Sequence, residues 1–356
     1  MSLARSSQWT AAGWRASLAT MIAPIVFFGE LLIRLTAPGR ELLMQSASFD
    51  LHVGGAEANV AVGLAHLGHD TTMVSAVPDN ALGRGALSAI RSHGVDCSNV
   101  QTRDGRMGLY FLAQGAGLRA SEIVYDRAGS SFAQMTATDF DWDSVLANAQ
   151  MLYLSGITPA LGPQSAEGAL EAARDAKRLG VPISFDGNYR AMLWEAWDSN
   201  PRAILSELIG MADILFGNHR DISLVLGKDF SGDGSDRRRE AAQAAFDAFP
   251  SLKLIASTAR HLVSADHHRL SARADMRDSF AQTDEIDVTG IVDRIGAGDA
   301  FAAGVLHAHL NGGDADAMAT SGLALTALKH SLPGDASLFG QADIDAFMSG
   351  NLDVRR

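Results

Sequence analysis

Short apolar runs that alternate with helical segments are the feature that most constrains the fold of this chain. The runs have strand length and few polar interruptions, which is typical of strands buried on both faces. Because parallel strands need a crossover between them, the alternation predicts a mainly parallel sheet within a three-layer α/β/α sandwich. The apolar runs are residues 26–28, 72–77, 151–155, 181–185, 214–216 and 252–257, and the clearest helical segments are residues 165–179 and 201–211.

Two stretches, residues 35–53 and 108–127, interrupt this alternation. In the second, two strand-like segments flank a glycine-rich turn at residues 115–117, which predicts a β-hairpin. Together the two stretches are expected to form a small sheet that stands off the main domain as a lid. Residues 21–345 are thus assigned to one domain, with a disordered extension at 1–20 and a C-terminal tail at 346–356. Residues 228–239 are predicted to be an exposed loop, and the pair at 267–268 an exposed turn.

Charge and cysteine content argue against several classes of function. The formal net charge is −12 at pH 7, so the molecule repels polyanions and nucleic acid is not an expected partner. No apolar run approaches the roughly 18 residues that a membrane span requires, and the apolar start is interpreted as a first strand. Cys97 is the only cysteine, which excludes an internal disulfide and favours the reducing cytoplasm.

The segment DRIGAGDAFAAG, residues 293–304, carries the strongest chemical signal. Its small residues let the backbone approach a ligand closely, and the Ala-rich part predicts a helix whose free N–H groups face that ligand. This arrangement suits a phosphate group. In an isolated Gly-x-Gly-Asp, however, an aspartate at a helix start is better interpreted as an N-cap.

The full segment, with Asp-x-x-Gly-Ala-Gly-Asp-Ala-Phe-x-x-Gly, resembles the C-terminal signature of the ribokinase-like carbohydrate kinases. The resemblance implies a ribokinase-like fold and ATP-dependent phosphorylation of a sugar. It makes Asp299 the general base toward the attacking hydroxyl, with Gly296, Ala297 and Gly298 as the anion hole for the transferred phosphate. It gives Asp293 one of two roles, either holding Mg²⁺ through water or holding the loop.

A second block, GGAEAN at residues 54–59, precedes another predicted helix. A glycine turn into a helix is its purely structural interpretation. The block also resembles the N-terminal Gly-Gly-x-x-x-Asn signature of the same family. This resemblance implies that Gly55 and Asn59 contact the sugar.

Between these ends the chain is similar to one branch of the family, the 2-keto-3-deoxygluconate kinases, over roughly residues 25–345. The similarity is carried by Gly-Glu at 29–30, Gly-Leu-Tyr at 108–110, Tyr-Asp-Arg at 125–127, SGITPAL at 155–161, Asn-Tyr-Arg at 188–190 and Pro-Gly-Asp at 333–335. It implies a sugar acid as substrate. The carboxylate of such a substrate must be paired in an acidic protein, and arginine forks match its geometry. The implied substrate residues are Arg127 and Arg190 for the carboxylate, together with Tyr110, Tyr125, Ile157 and Asp335.

The resemblance also implies a nucleotide side with ATP and Mg²⁺. The block NHRD at 218–221 stands where the family has Asn-x-x-Glu, which helps to position Mg²⁺ and phosphates. Asp221 is one methylene shorter than glutamate, so a water molecule is expected to fill the gap. The residues assigned to the nucleotide side are Asn188, Asn218, Ser257, Thr258 and Arg260.

Two other functions stay open on the sequence. A kinase of a neutral ketose such as fructose would use the same machinery but would gain little from Arg127 and Arg190. A sugar-acid sensor on a retired kinase scaffold would need neither Asp299 nor its glycine turn. The sequence leaves open whether the substrate has the gluco or the galacto configuration. A homodimer through the lid is expected by resemblance, because the apolar inner face of the lid needs cover, which a bound sugar and the lid of a second subunit could provide.

Overall fold

The computed structural model describes residues 23–350, so the predicted extension at 1–20 lies outside the described residues, as does the end of the predicted tail. Two separate sheets organise the described chain. The large sheet contains β1 (Ile25–Phe28), β4 (Thr71–Pro78), β5 (Val100–Arg103), β8 (Met151–Ser155), β9 (Ile183–Asp186), β10 (Ile214–Phe216), β11 (Leu254–Ser264), β12 (His267–Met276), β13 (Phe280–Gln282) and β14 (Ile286–Thr289). The small sheet contains β2 (Leu32–Thr36), β3 (Asp50–Gly54), β6 (Gly108–Ala113) and β7 (Glu122–Asp126).

The large sheet is mainly parallel, as predicted. Strands β5, β4, β1, β8, β9, β10 and β11 lie side by side in that order and pair in parallel. Beyond β11 the sheet continues through antiparallel pairing with β12, which in turn pairs with β13 and β14. The carboxyl ends of the parallel strands therefore meet at one edge, where sheets of this kind bind ligands.

Helices cover both faces of the large sheet and create two cores. Alternate residues of β1 face opposite sides, with Ile25 and Phe27 in one core and Val26 and Phe28 in the other. The helices are α1 (Ala56–His66), α2 (Ala81–Ser92), α3 (Trp142–Leu146), α4 (Pro163–Leu179), α5 (Ala191–Trp194), α6 (Pro201–Met211), α7 (His219–Leu226), α8 (Gly234–Ala248), α9 (Ala297–Leu310), α10 (Ala315–Lys329) and α11 (Gln341–Met348). Buried residues of α1, α9 and α10 belong to the first core, and those of α4, α6 and α8 belong to the second. This confirms the three-layer sandwich.

The prediction of an exposed loop over residues 228–239 is wrong from residue 234 onward, because α8 begins there. The apolar stripe that buries this helix, with Ala241, Ala245 and Phe246, lies almost wholly beyond the predicted loop. The exposed turn at 267–268 is also wrong, since both residues begin β12 and His268 is fully buried. Helix α11 continues past the domain boundary predicted at residue 345. None of the helices within residues 23–350 is long and apolar enough to cross a membrane.

The small sheet has the strand order β3-β2-β6-β7 and contains the predicted hairpin, because β6 and β7 pair antiparallel. Its two faces differ in chemistry. One face carries Arg34, Tyr110 and Tyr125 in neighbouring positions, and the tyrosines line a cavity against the large sheet. The small sheet thus covers the ligand-binding edge of the large one.

Candidate active site

Two adjoining cavities lie at the carboxyl ends of the parallel strands. One, of about 960 Å³, lies beneath the small sheet, and the other, of about 680 Å³, lies beside β11 and β12. They share lining residues, among them Asn218, Ser257, Thr258, Ala297 and Gly298. The glycine turn therefore stands where the two cavities meet. Every site residue predicted from the sequence lines the larger cavity except Asp293.

Gly296 is the residue that fixes the shape of this turn. Its φ of 76° lies in the left-handed region, and an added Cβ would come within 1.6 Å of the Asp335 carbonyl oxygen. It is the N-cap of α9, which starts at Ala297, so the first N–H groups of the helix have no acceptor within the helix, and the Ala297 N–H lies 3.3 Å from the Arg294 carbonyl oxygen. The Thr326 hydroxyl donates a hydrogen bond to the Ala297 carbonyl and holds the turn from the side of α10. The turn therefore has a fixed shape at the start of α9.

Asp299 lies in the first turn of α9 and meets the second glycine motif. Asn59 Nδ2 donates a hydrogen bond of 2.6 Å to Asp299 Oδ2, across 240 residues of sequence. Asn59 is positioned by α1, which follows Gly55. Gly55 has φ 147°, and a Cβ there would come within 2.1 Å of the Glu30 carbonyl oxygen. The two motifs that the sequence singled out thus form one site.

The electrostatic environment of Asp299 suits a base that works near neutral pH. Burial raises its pKa to about 7, and the nearby Asp335 and Glu57 carboxylates act in the same direction. The hydrogen bond from Asn59 and the charge of Arg190 oppose this increase. A base is most effective when its pKa lies close to the operating pH.

Asp186 is a site residue that sequence reasoning missed. It ends β9 and lines the larger cavity, where burial and the charges of Asp299 and Asp221 raise its pKa to about 8. The backbone N–H of Asn188 donates to Asp186 Oδ1 at 3.1 Å, and Asn188 has a positive φ of 33°. Non-glycine residues in that region cluster at functional sites. A carboxylate that ends a buried strand was the available signal.

Asn218 and Asp221 form a reciprocal cap at the start of α7. The Asn218 N–H donates to Asp221 Oδ2 at 2.8 Å, and the Asn218 side-chain oxygen accepts from the Arg220 N–H. Burial raises the pKa of Asp221. Within residues 23–350, no three His, Cys, Asp or Glu side chains form a group that could hold a metal ion. A Mg²⁺ ion here would need phosphate oxygens and water as further ligands.

Asp293 is buried, and both of its carboxylate oxygens have partners in the protein. Oδ1 accepts from the Ile295 N–H at 2.9 Å, while Oδ2 accepts from Arg34 Nη2 at 2.6 Å and from the Gly334 N–H at 3.1 Å. These contacts favour the loop-holding alternative over the Mg²⁺ alternative. Asp293 connects the glycine turn to the segment that precedes Asp335.

Arg34, on β2, organises a buried cluster that sequence reasoning also missed. Its guanidinium is fully buried and lies 2.8 Å from Asp335 Oδ1, in addition to its bond with Asp293. The Tyr110 hydroxyl donates to Asp335 Oδ2. Two residues assigned to the sugar, Tyr110 and Asp335, therefore have protein partners as well as a place in the cavity wall.

The two predicted arginines differ in that Arg127 has an ion-pair partner and Arg190 has none within the described part of the chain. Arg127 is buried and forms a salt bridge with Glu30, with its Nε 2.8 Å from Glu30 Oε2. Arg190 is exposed at the cavity, donates to the Tyr189 carbonyl, and has no ion-pair partner within the described part of the chain. Its charge lowers the pKa of Asp186, Asp221 and Asp299. Arg190 is thus the better placed of the two to meet an incoming anion.

A second group of positive charges lines the junction of the cavities. Arg260, on β11, lines both cavities, and burial together with the nearby Arg294 lowers its pKa. No acidic partner within 4 Å of either guanidinium exists among residues 23–350. Arg260 was predicted, whereas Arg294 was not, although its place inside the glycine motif was visible in the sequence.

Known kinases of deoxy sugar acids resemble this chain over most of its length. It is 30% identical over 330 residues to the 2-dehydro-3-deoxygalactonokinase of Haloferax volcanii, covering 93% of this chain and 98% of that protein. It is 29% identical over 275 residues to a 5-dehydro-2-deoxygluconokinase of Clostridium perfringens, covering 76% of each. The solved structure of the 2-dehydro-3-deoxygluconokinase of Thermotoga maritima superposes with a TM-score of 0.87 at 35% identity, covering 92% of this chain and 99% of that one.

The family model described as pfkB family carbohydrate kinase matches residues 23–338. This range includes the small sheet, the glycine block at residues 54–59 and the glycine turn with Asp299. The resemblance seen in the sequence and the ribokinase-like fold are confirmed by these comparisons. The chain belongs to the pfkB family of carbohydrate kinases.

Proposed function

We propose that this protein is an ATP-dependent kinase of a keto-deoxy sugar acid, which converts 2-keto-3-deoxygluconate (2-dehydro-3-deoxygluconate) to 2-keto-3-deoxy-6-phosphogluconate. The observation that carries the proposal is the glycine turn with Asp299 at the junction of two cavities. A sugar in the cavity beneath the small sheet and a nucleotide in the cavity beside β11 would meet at this turn. Phosphoryl transfer requires this arrangement, because catalysis consists mainly of positioning and charge stabilisation.

In the proposed reaction Asp299 takes the proton of the 6-hydroxyl while that oxygen attacks the γ-phosphorus. The bond between the γ-phosphorus and the oxygen bridging to ADP breaks, and ADP leaves. Backbone N–H groups of Gly296, Ala297 and Gly298 stabilise the charge on the transferring group. The retention of this machinery supports catalysis over the sensor function, because a sensor needs neither the base nor the turn.

The charge pattern supports Mg²⁺ and ATP as partners of the site. Asp186 lies close enough to Asp299 and Asp221 for their charges to raise its pKa, so a divalent cation at this place would relieve their repulsion. When bound, Mg²⁺ would neutralise charge on the phosphates. We assign it to Asp186 and Asp221 through water, with Asn188 and Asn218 beside it, rather than to Asp293.

The phosphates of ATP are assigned to the unpaired guanidinium groups of Arg260 and Arg294. Ser257 and Thr258 line both cavities next to Arg260, at the end of the parallel part of β11. Arginine forks match phosphate geometry and stay charged when partly buried. The two arginines explain how an acidic protein attracts a polyanion to this junction.

The sugar acid is assigned to the wall beneath the small sheet, with Gly55, Asn59, Tyr110, Tyr125, Arg127, Ile157, Arg190 and Asp335. Arg190 is proposed as the principal partner of the substrate carboxylate, because its guanidinium has no ion-pair partner within residues 23–350. Arg127 has Glu30 as partner, and its buried Nη1 has none within residues 23–350. That atom is free for a second hydrogen bond to the acid. A neutral ketose would offer a carboxylate to neither guanidinium group.

The direct test of the proposal is ADP release by the wild-type protein with a panel of sugar acids and neutral sugars, with the phosphorylated product identified. Both configurations of the acid belong in the panel, because the relatives bear gluco and galacto names.

The cytoplasmic location stays a prediction, based on the single free cysteine.

The proposed homodimer forms through the outer face of the small sheet. Leu51, Leu35, Phe111 and Val124 form a row across the four strands, on the face opposite the cavity. Leu51 and Val124 are 55% and 45% exposed, and burial of such a row favours association by about 25 cal/mol per Å² of apolar surface. A second copy with the same row would cover it in an isologous contact.

We expect light scattering at micromolar concentration to give the mass of a dimer. The double variant Leu51→Lys/Val124→Lys is expected to be a folded monomer, because two buried charges at the interface lack partners. Leu179→Lys, at the end of α4 away from the small sheet, serves as the control and should stay dimeric. A monomeric wild-type protein, or a double variant that stays a dimer, would contradict this interface.

A further inference from the structure

A buried lysine lies beneath the glycine turn and has no part in the reaction proposed above. Lys329, the last residue of α10, has a fully buried side chain. Its Nζ donates to the Leu332 carbonyl oxygen at 3.1 Å and lies 3.5 Å from the Asp293 carbonyl oxygen. An ammonium group in the interior is costly unless charges or hydrogen bonds compensate it. The burial of the Lys329 ammonium group therefore has to be compensated by its surroundings.

The compensation comes from the cluster around Arg34. Lys329 and Arg34 carry two positive charges, and Asp293 and Asp335 carry two negative ones, so the four residues together are neutral. Burial lowers the pKa of Lys329, whereas Asp293, Asp335 and Asp299 raise it. Asp299 is thus close enough for its charge to act on the ammonium group. Removal of the lysine charge would leave a net charge of −1 beneath the place assigned to the transferring phosphate.

The contacts of Lys329 join two backbone segments that both shape the turn. One segment contains Asp293, three residues before Gly296. The backbone nitrogen of Asp293 lies 3.3 Å from the His330 carbonyl oxygen. The other runs from Leu332 to Asp335, whose carbonyl oxygen lies where a Cβ of Gly296 would be. The ammonium group holds a carbonyl of each segment. A change in their spacing would move the N–H groups of the turn.

We propose that Lys329 is a positioning residue for phosphoryl transfer, which fixes the anion hole through the Asp293 and Leu332 carbonyls and balances the buried carboxylates beneath it. The inference rests on the proposed function. It differs from a purely structural role, which would affect the free energy of unfolding but not turnover by the folded protein. Misplacement of a reacting group by about 1 Å can cost about 10²-fold in rate.

The experiment compares Lys329→Met with the wild-type protein under saturating ATP and substrate. We expect kcat to fall by about 10- to 100-fold, with the KM of the sugar changed by less than about threefold, because Lys329 does not line the cavity assigned to the sugar. Lys253→Met is the matched control, since Lys253 is exposed and pairs with Asp213 on the surface. That variant should keep the wild-type kcat. An unchanged kcat in folded Lys329→Met would overturn the proposal.

A rescue experiment separates the charge from the packing. In Lys329→Ala, ammonium chloride is expected to restore kcat in a saturable way, while choline chloride at the same ionic strength restores nothing and the wild-type protein responds to neither. Absence of rescue in a folded, impaired Lys329→Ala protein would overturn the positioning role. If the Met and Ala variants do not fold, Lys329→Gln keeps an N–H donor without the charge and should show the same loss of kcat.

Different results would contradict the proposed function and the positioning role of Lys329. Wild-type activity is measured first, and absence of ADP release with every sugar acid contradicts the proposed function. With an active wild-type protein, whichever sugar it accepts, a normal kcat in the Lys329 variants contradicts only the positioning role.

Discussion

Asp299→Asn is expected to lower kcat by about 10²- to 10⁴-fold, the range for loss of a positioned general base. The substitution keeps the size of the side chain and the start of α9, so the KM of the sugar should change little. Asn59, which donates to Asp299, loses a charged acceptor but keeps the carbonyl oxygen of the new amide within reach. Steady-state kinetics of the purified variant measure both parameters, and near-normal turnover would remove Asp299 from its role.

The pH dependence provides the control for this substitution. Because the pKa of Asp299 is raised to about 7, the wild-type kcat/KM should rise with pH as the carboxylate loses its proton. Asp186 titrates nearby, with a pKa raised to about 8, so the observed values belong to the coupled pair. A raised carboxylate pKa also means that stability is lost as the pH rises from the ordinary carboxylate range toward about 7. Asp299→Asn should therefore be at least as stable as the wild-type protein at pH 8, and a denaturation curve that shows this would exclude unfolding as the cause of lost turnover.

Arg190→Ala is expected to reduce kcat/KM for the sugar acid by about 30- to 1,000-fold, equivalent to about 2–4 kcal/mol. The variant loses a charge-assisted hydrogen bond and leaves the substrate anion partly unpaired. For a neutral ketose used as a poor alternative substrate, the same change should have little effect. An equal loss on both substrates would show that Arg190 serves ATP or the fold instead.

Arg127 requires a different variant, because substitution of Arg127 alone would leave the Glu30 carboxylate buried without a salt-bridge partner. Breaking such a pair costs about 3–5 kcal/mol of stability. The informative variant is therefore Arg127→Ala/Glu30→Gln, which removes both charges together. The reduction of kcat/KM in this double variant should again be confined to the sugar acid. Arg174→Ala, which affects only an exposed ion pair with Glu167 and Glu207, is the matched control and should leave both activities unchanged.

The layered architecture was predictable because each strand and helix carries its own local pattern. Buried parallel strands are continuous apolar runs, and the turn between β6 and β7 contains the glycines that a hairpin favours. The glycine turn was predictable for the same reason, since Gly296 meets a local steric demand. The start of α8 was missed because its first turns are polar and exposed, and only Ala241 and later residues reveal a buried face.

The buried ion pairs could not be predicted, because nothing local specifies them. Arg34 and Asp293 are 259 residues apart, and Glu30 and Arg127 are 97 apart. A burial pattern identifies which strand is internal, but the partner of an internal charge depends on how distant loops meet. The sequence therefore leaves two roles open for Asp293 and does not distinguish Arg127 from Arg190. Arg294 lies within the glycine motif and Asp186 directly follows a predicted strand, but nothing local assigns either of them a role.

ADP release by the wild-type protein, with 2-keto-3-deoxygluconate, its galacto epimer and fructose as acceptors, decides whether the substrate is a sugar acid. We expect kcat/KM for at least one of the acids to exceed that for fructose by about 30-fold or more, the contribution of one carboxylate–arginine interaction. The phosphorylated product should carry the new group on the 6-hydroxyl. Preference for fructose, or release of ADP without transfer to any acid, would contradict the account.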